Sequence, residues 1–513
     1  MAKRYFLGGG LMIGLLGACS GDDEATDGPE DAGPTCLAAT EAFPISSALQ
    51  TGPGVGFYET VNPFEYADFE RTHVHRADFF GSFTDPLATA VSVRSFDGVY
   101  PTPYNVATRE RDELFVYGGD PTGGVTPYVA KLDLSTGAEA WRTEIPQPSG
   151  AFSWPGLALV HGNGDVYALH GTRLVRLDAA SGALEGDADL PAPTDIASSD
   201  TVYNGFTVGR DGLIVAKSIS RPAGCEAQGP AALGECAGPT TPVPPSMVIT
   251  VDPDTLEVLG RLEMPELVGG RLAQSRFEGE DYIYVGGNDD IYRVRRQGSA
   301  LALDPWRYSG FLQESQAAPS AVVVMGDWVV FQMNASPGQT PMTVHAVAQR
   351  DPQIFARRDP FGPGGFGISF VPSSLTADSD TLRIYSQDTG RGQIAGLELV
   401  EGTTGPELVE LWVVDQVTLH HLSLVGPSDA RVLVSTDAPA ALMALGSGAT
   451  DYEERVVWRS AATGMELARS EPLPPMSGGS PVSPGFRGTV HYVGAAGTVF
   501  ELSTSTGTLP VCD

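Results

Sequence analysis

KLDLSTGAEAW (131–141) and RLDAASGALEG (176–186) are two spellings of one turn. In each, an apolar strand-like run ends at Asp, Gly follows four residues later, and a second strand-like run begins. An Asp side chain accepts hydrogen bonds from the backbone two residues on, and Gly supplies the positive φ that closes a tight reversal between strands. TVDPDTLEVLG (250–260), WRSAATGMELA (458–468) and ELSTSTGTLPV (501–511) follow the same plan. Leu256 stands where the third copy should have Gly, which predicts a different geometry for that turn.

Moving outward, each turn belongs to a longer unit headed by an apolar, β-branched run. Eight such runs begin at Glu113, Asp165, Gly212, Asp281, Trp328, Thr381, Arg431 and Thr489, at spacings of 52, 47, 69, 47, 53, 50 and 58 residues. The long third spacing contains a Pro/Gly-rich insertion at 221–246. Paired strands repeating near fifty residues indicate propeller blades, each a small antiparallel sheet. Helical periodicity is absent and chain breakers are frequent: 62 Gly and 40 Pro in 513 residues. Two unrelated β-sandwiches are the structural alternative. The expected architecture is therefore all-β, with residues 36–513 forming a single eight-bladed β-propeller. The last unit is short. A strand from within Thr89–Tyr100 is the candidate to complete it, so that the segment 36–112 partly closes the ring and no sheet edge is left open.

The turn with its trailing Trp resembles the repeat of the quinoprotein (PQQ)-like propellers, in which Asp-x-x-Thr-Gly-x-x-x-Trp recurs. Asp133, Thr136, Gly137 and Trp141 match it fully; Asp178 and Gly182 match in part, with Gly186 where Trp would stand. The resemblance implies eight blades, in agreement with the count of runs. In that family the Trp residues dock neighbouring blades, so one Trp here implies that other apolar side chains hold most blades together. Many quinoprotein dehydrogenases carry two adjacent Cys over the cofactor, and this chain has no such pair. The resemblance also extends to an outer-membrane assembly lipoprotein that uses the fold without cofactor.

The chain opens with Lys3 and Arg4, an apolar stretch from Phe6 to Ala18, and Cys19. Residues 1–18 read as a lipoprotein signal peptide, too short for a permanent span, and Leu16-Gly17-Ala18-Cys19 resembles a bacterial lipobox with Cys19 acylated. Residues 19–35 are acidic and Pro/Gly-containing, a flexible tether. Ser20 after the anchor favours the outer membrane, on its periplasmic or surface face. Loss of residues 1–18 removes two basic residues and no acidic one, leaving a formal charge of −34. Such an acid excess repels phosphates and excludes electrostatic nucleic-acid binding.

Four further cysteines in an oxidising compartment suggest two disulfides, for which three pairings exist. Cys225 and Cys236, eleven residues apart within the insertion, suit a loop clamp. Cys36 and Cys512 would then tie the termini, contributing on the order of 4–5 kcal/mol by the loop-closure argument.

Chemistry is harder to place. His73-x-His75 would put two imidazoles on one face of a strand, near Asp68, Glu70 or Asp78, as a weak metal candidate. Asn288-Asp289-Asp290 and Asp378-Ser379-Asp380 are oxygen-rich but do not form an EF-hand loop. No G-x-S-x-G elbow occurs. Segments 118–128, 152–155, 204–206 and 359–367 combine aromatics with Gly and Pro, as at a propeller's mouth. Catalytic residues are not identifiable. No cofactor is expected, with PQQ and calcium as minor alternatives. The reading is a lipid-anchored envelope propeller that binds or scaffolds a protein, peptide or glycan. Its rival is a diverged quinoprotein-type dehydrogenase or another enzyme using the channel.

Overall fold

The computed structural model describes residues 51–75, 90–96, 98–120, 124–238, 241–313, 316–335, 341–362, 374–441, 451–477 and 481–504. Cys19, Cys36, Cys512 and Asp78 lie outside these, as do the signal peptide and tether.

Eight sheets form the antiparallel blades of a closed ring, and a ninth, two-stranded sheet pairs Gln316–Ala317 with Asn334–Ala335. From the inner strand outward, blade 1 is Pro103–Thr108, Glu113–Gly118, Tyr128–Asp133 and Glu139–Glu144; blade 2 is Leu157–Val160, Val166–His170, Arg173–Leu177 and Leu184–Asp189. Blade 3 is Thr201–Val208, Ile214–Ser220, Met247–Val251 and Val258–Glu263; blade 4 is Ala273–Phe277, Glu280–Gly286, Asp290–Gln297 and Ala300–Ser309. Blade 5 is Val323–Met325, Trp328–Gln332, Val344–Ala348 and Phe355–Arg358; blade 6 is Thr376–Asp378, Arg383–Asp388, Gln393–Glu401 and Pro406–Asp415. Blade 7 is Ser423–Val425, Val432–Asp437, Arg455–Ser460 and Glu466–Arg469, while blade 8 is Ser483–Pro484, Val490–Val493, Val499–Thr504 and, at its rim, Val91–Phe96. The apolar runs found in the sequence are thus the second strands. A second strand lies between two others and between two blades, so it is covered on both faces, as in Ile214–Ser220 where every residue is buried. The inner strand of each blade precedes it. Outer strands alternate because one face meets solvent, as in Val258–Glu263.

The turns behave as their chemistry requires. Asp133 Oδ1 accepts from the Ser135 and Thr136 amides at 2.9 and 3.2 Å, and Gly137, at φ +75°, donates its amide to the Asp133 carbonyl at 2.8 Å. The expectation for Leu256 is overturned. It takes φ +58° and donates to the Asp252 carbonyl at 2.9 Å, the same turn without the Gly. A left-handed Leu costs roughly 1–2 kcal/mol. Its side chain is almost fully buried between blades 2 and 3, which offsets that strain.

The expectation of a single docking Trp is also corrected. Trp141 donates to Ala179 O of the next blade at 3.4 Å, Trp306 to Ala348 O at 3.0 Å and Trp412 to Ala461 O at 3.0 Å. In each case the indole of one blade covers the outer turn of its successor. Trp306 and Trp412 sit in ten-residue outer strands, so the short spacing from turn to Trp seen at Trp141 is lost.

Ring closure uses the N-terminal region. Val91–Phe96 pairs antiparallel with Val499–Thr504 in unbroken register, Val91 opposite Thr504 and Phe96 opposite Val499. One apolar cluster then runs from Val434 and Trp458 of blade 7 through Val490, Tyr492 and Leu502 of blade 8 to Val106 and Leu114 of blade 1. The join is packed like any other blade interface.

Candidate functional site

The axis of the ring is occupied by the chain's own segment 57–75. It meets the inner strands in sequence. The amides of Thr108, Val160, Gln274, Val324, Ala377 and Leu424 donate to the carbonyls of Asn62, Pro63, Phe69, Glu70, Thr72 and His73, at 2.8–3.1 Å. Six of the eight blades are bound in this way. Val74–His75 then runs parallel to Leu424–Val425 as a fifth strand of that sheet. His75 Nδ1 donates to Val61 O at 3.0 Å, closing the segment on itself. Ala67, Arg71 and His73 take φ of +60 to +69°. Non-glycine residues hold that conformation only where surrounding contacts over-determine it.

The side chains on the axis are aromatic and charged. Tyr66 and His73 lie ring to ring at 4.3 Å, and the Arg71 guanidinium sits 4.6 Å from the Tyr66 ring and 4.9 Å from Phe64. Glu65 is the hub: its Oε1 accepts from Tyr104 of blade 1 at 2.8 Å and from Arg271, just before blade 4, at 3.3 Å. Arg71 Nη1 stands 3.7 Å from Glu65 Oε2, and both side chains have no exposed surface. Lys217 of blade 3 is also fully buried, its Nζ donating to Val268 O at 2.6 Å and Gly269 O at 3.0 Å.

Burial sets the protonation of these groups. It lowers Arg71 to about 10, partly against Glu65, and depresses Lys217 well below its usual range, with Arg271 and Arg71 adding to the effect. Burial likewise holds His75 and His421 down to about 4 and His73 well below its normal value, so all three imidazoles are neutral near pH 7. Arg271 is different. Burial opposes its charge, but Glu65, Tyr104 and Tyr66 outweigh that and raise it.

His73 and His75 do not form a pair of ligands on one strand face. The positive φ at His73 breaks the alternation. His73 Nδ1 donates to Leu422 O at 2.8 Å while His75 turns to Val61. Asp68 accepts from the Thr72 amide and hydroxyl, and Glu70 pairs with Arg210. Among the described residues no group of three His, Cys, Asp or Glu side chains is placed to hold a metal. Asp378 and Asp380 pair with Arg431 at 3.2 and 2.6 Å, and the Asp289 and Asp290 amides donate to Glu266. Both oxygen-rich turns are thus tied into the fold.

Three of the aromatic loop segments point into the protein. Phe152, Phe206 and Phe361 are buried, while residues 121–123 and 363–367 lie outside the described set. The insertion covers Phe152–Pro155: Ser153 exchanges hydrogen bonds with Gln228 Oε1 and the Gly229 amide, at 2.7 and 2.9 Å. Cys225 and Cys236 are bonded to each other around a short helix, Pro230–Glu235. The axial cluster of Glu65, Arg71, Tyr104, Lys217 and Arg271 was not picked out from the sequence. Nothing in the sequence around a single Arg or Lys announces its burial.

No family model and no curated protein matches the sequence. Among solved structures, the chain is similar to a quinohemoprotein alcohol dehydrogenase from Comamonas testosteroni, with a TM-score of 0.54 at 13% identity over 88% of this chain and 81% of that one. A quinohemoprotein alcohol dehydrogenase from Pseudomonas putida HK5 is similar over the same shares, with a TM-score of 0.53 at 14% identity. The likeness is one of fold: an all-β, eight-bladed propeller of quinoprotein-like type.

Proposed function

We propose that this chain is a lipid-anchored propeller of the bacterial outer membrane, held through Cys19, that acts as a non-enzymatic binding or scaffolding protein for a protein, peptide or glycan. The supporting observation is the filled axis. A flat quinone such as PQQ needs an open slot and a calcium ligand set. Here Phe64, Tyr66, Arg71 and His73, each with at most 2% exposure, take that space. The two described cysteines are eleven residues apart, bonded to each other in the insertion, and do not form an adjacent pair. The axial residues do not fit the quinone–calcium pair, which leaves the two end surfaces and the blade rims for recognition.

The competing reading, a diverged quinoprotein-type dehydrogenase, draws on likeness of fold, and fold does not determine chemistry. Two measurements separate them. Purified chain incubated with PQQ and calcium should show no quinone absorbance after desalting and no calcium-dependent dye reduction with alcohols. Photo-crosslinkers placed on the insertion, and separately on the opposite end of the ring, should give a discrete envelope adduct from one end only. Dye reduction, or adducts equally frequent from both ends, would contradict the scaffold reading.

A further inference from the structure

The axial cluster has a charge imbalance that no other described residue corrects. Arg71 and Arg271 both face one carboxylate, Glu65, and the buried Lys217 lies near the two guanidinium groups. They are close neighbours. Both guanidinium groups reach Glu65, and a side-chain carbon placed on Gly205 would lie 3.5 Å from Arg271 Cδ and 3.7 Å from Lys217 Cε. The imidazoles of His73, His75 and His421 add no negative charge. Even with Lys217 neutral, two guanidinium groups face one carboxylate.

The hydrogen-bond count points the same way. Arg71 Nη1 and Nη2 and Arg271 Nη1 are buried with no hydrogen-bond partner among the described residues. Glu65 Oε2 is also unbonded, although it lies within ion-pair distance of Arg71. Buried polar groups are almost always satisfied, and an unpaired buried charge is far more costly than an unpaired amide. Water could complete the donors but would leave the excess positive charge in place.

We propose that the propeller axis binds one small inorganic anion, of halide size, between the guanidinium groups of Arg71 and Arg271 beside Lys217. Arg71, at φ +60°, donates Nε–H to the carbonyl of Leu272, the residue next to Arg271, which brings its guanidinium to the start of blade 4. The anion would lock the axial segment to the ring as an internal counter-ion. This site is independent of whatever the outer surfaces recognise.

The test uses bromide on the unmodified chain. Crystals grown in sodium bromide, measured at the bromine edge, should show an anomalous peak within hydrogen-bond reach of Arg71 Nη1 or Nη2 and Arg271 Nη1. Ordered water alone at that position would overturn the proposal. In solution, the unfolding midpoint should be higher in sodium bromide than in sodium gluconate of equal ionic strength, by roughly 2–4 °C. Arg71→Met keeps the apolar stem over Phe64 and Tyr66 and should abolish that difference. If this variant does not fold, the bromide map of the unmodified chain decides. Equal midpoints in the two salts for the unmodified chain would also count against the site.

Discussion

Gly186 and Leu256 share one space: a side-chain carbon on Gly186 would come within 3.3 Å of Leu256 Cδ1. At the previous interface the roles are reversed. Trp141 supplies the bulk, and a side-chain carbon on Gly182 in the facing turn would lie 2.5 Å from its ring. Gly464 stands in the same way against Trp412, at 2.7 Å. Each contact therefore takes one large and one small partner, and blade 3 inverts the usual order.

A double-mutant cycle tests this exchange. Leu256→Gly should lower stability by roughly 1–2 kcal/mol, since it loses about 2–3 kcal/mol of burial and recovers about 1 kcal/mol of backbone strain. Gly186→Trp alone should be more damaging because the indole meets Leu256. The two together should recover much of the loss, with a favourable coupling of roughly 1–3 kcal/mol in denaturant unfolding. Additive effects would show that the two sites do not share space.

Acid should weaken the fold in a defined window. Burial holds His75, His170 and His421 down to about 4 and His345 to about 3. In the unfolded chain these groups titrate near 6.5. Between those values the unfolded state binds more protons, so stability is complete above about pH 6.5 and falls as pH drops toward 4. Unfolding midpoints measured from pH 8 to pH 4 should follow this course. His75→Gln, which keeps a donor for Val61 O, should flatten the slope between pH 6.5 and 4.

Reduction of Cys225–Cys236 should act locally. Closing an eleven-residue loop contributes about 3 kcal/mol in the chain-entropy account. Replacing both cysteines with Ser should raise amide exchange across 221–246 and at Phe152–Trp154, which the insertion covers. Exchange in blades 5 to 8 should be unchanged.

The axial segment should behave as part of the core. Phe64 has no exposed surface and stacks on Phe57 at 5.2 Å. Phe64→Ala should cost about 3–5 kcal/mol. Cleavage after residue 75, if achieved, should lower the unfolding midpoint of the whole ring, because the segment bonds six inner strands. A midpoint unchanged by that cut would mean that the blades hold themselves.

The blade count was legible because second strands are covered on both faces and therefore mostly apolar, so that they stand out as runs. The outer turns were legible because Asp and Gly perform local backbone chemistry at Asp133 and Gly137. The Trp contacts of blades 4 and 6 were not, since longer outer strands move Trp306 and Trp412 away from the motif spacing. Leu256 was misread because sequence reports the strain of a left-handed Leu but not the facing Gly186 that makes room for it. The axial cluster was the least legible. Glu65, Arg71 and Arg271 are separated by up to 206 residues and meet only through the ring.

The rim strand Val91–Phe96 carries one more consequence, for how the chain is made. Ser92 meets Ser503 across 411 residues of sequence. A chain emerging from its amino end must therefore carry an unmated strand until residues 499–504 are available. Folding dominated by such distant pairings is slow and leaves an adhesive edge in the meantime. The nascent form thus exposes that edge to its copies until the circle can shut.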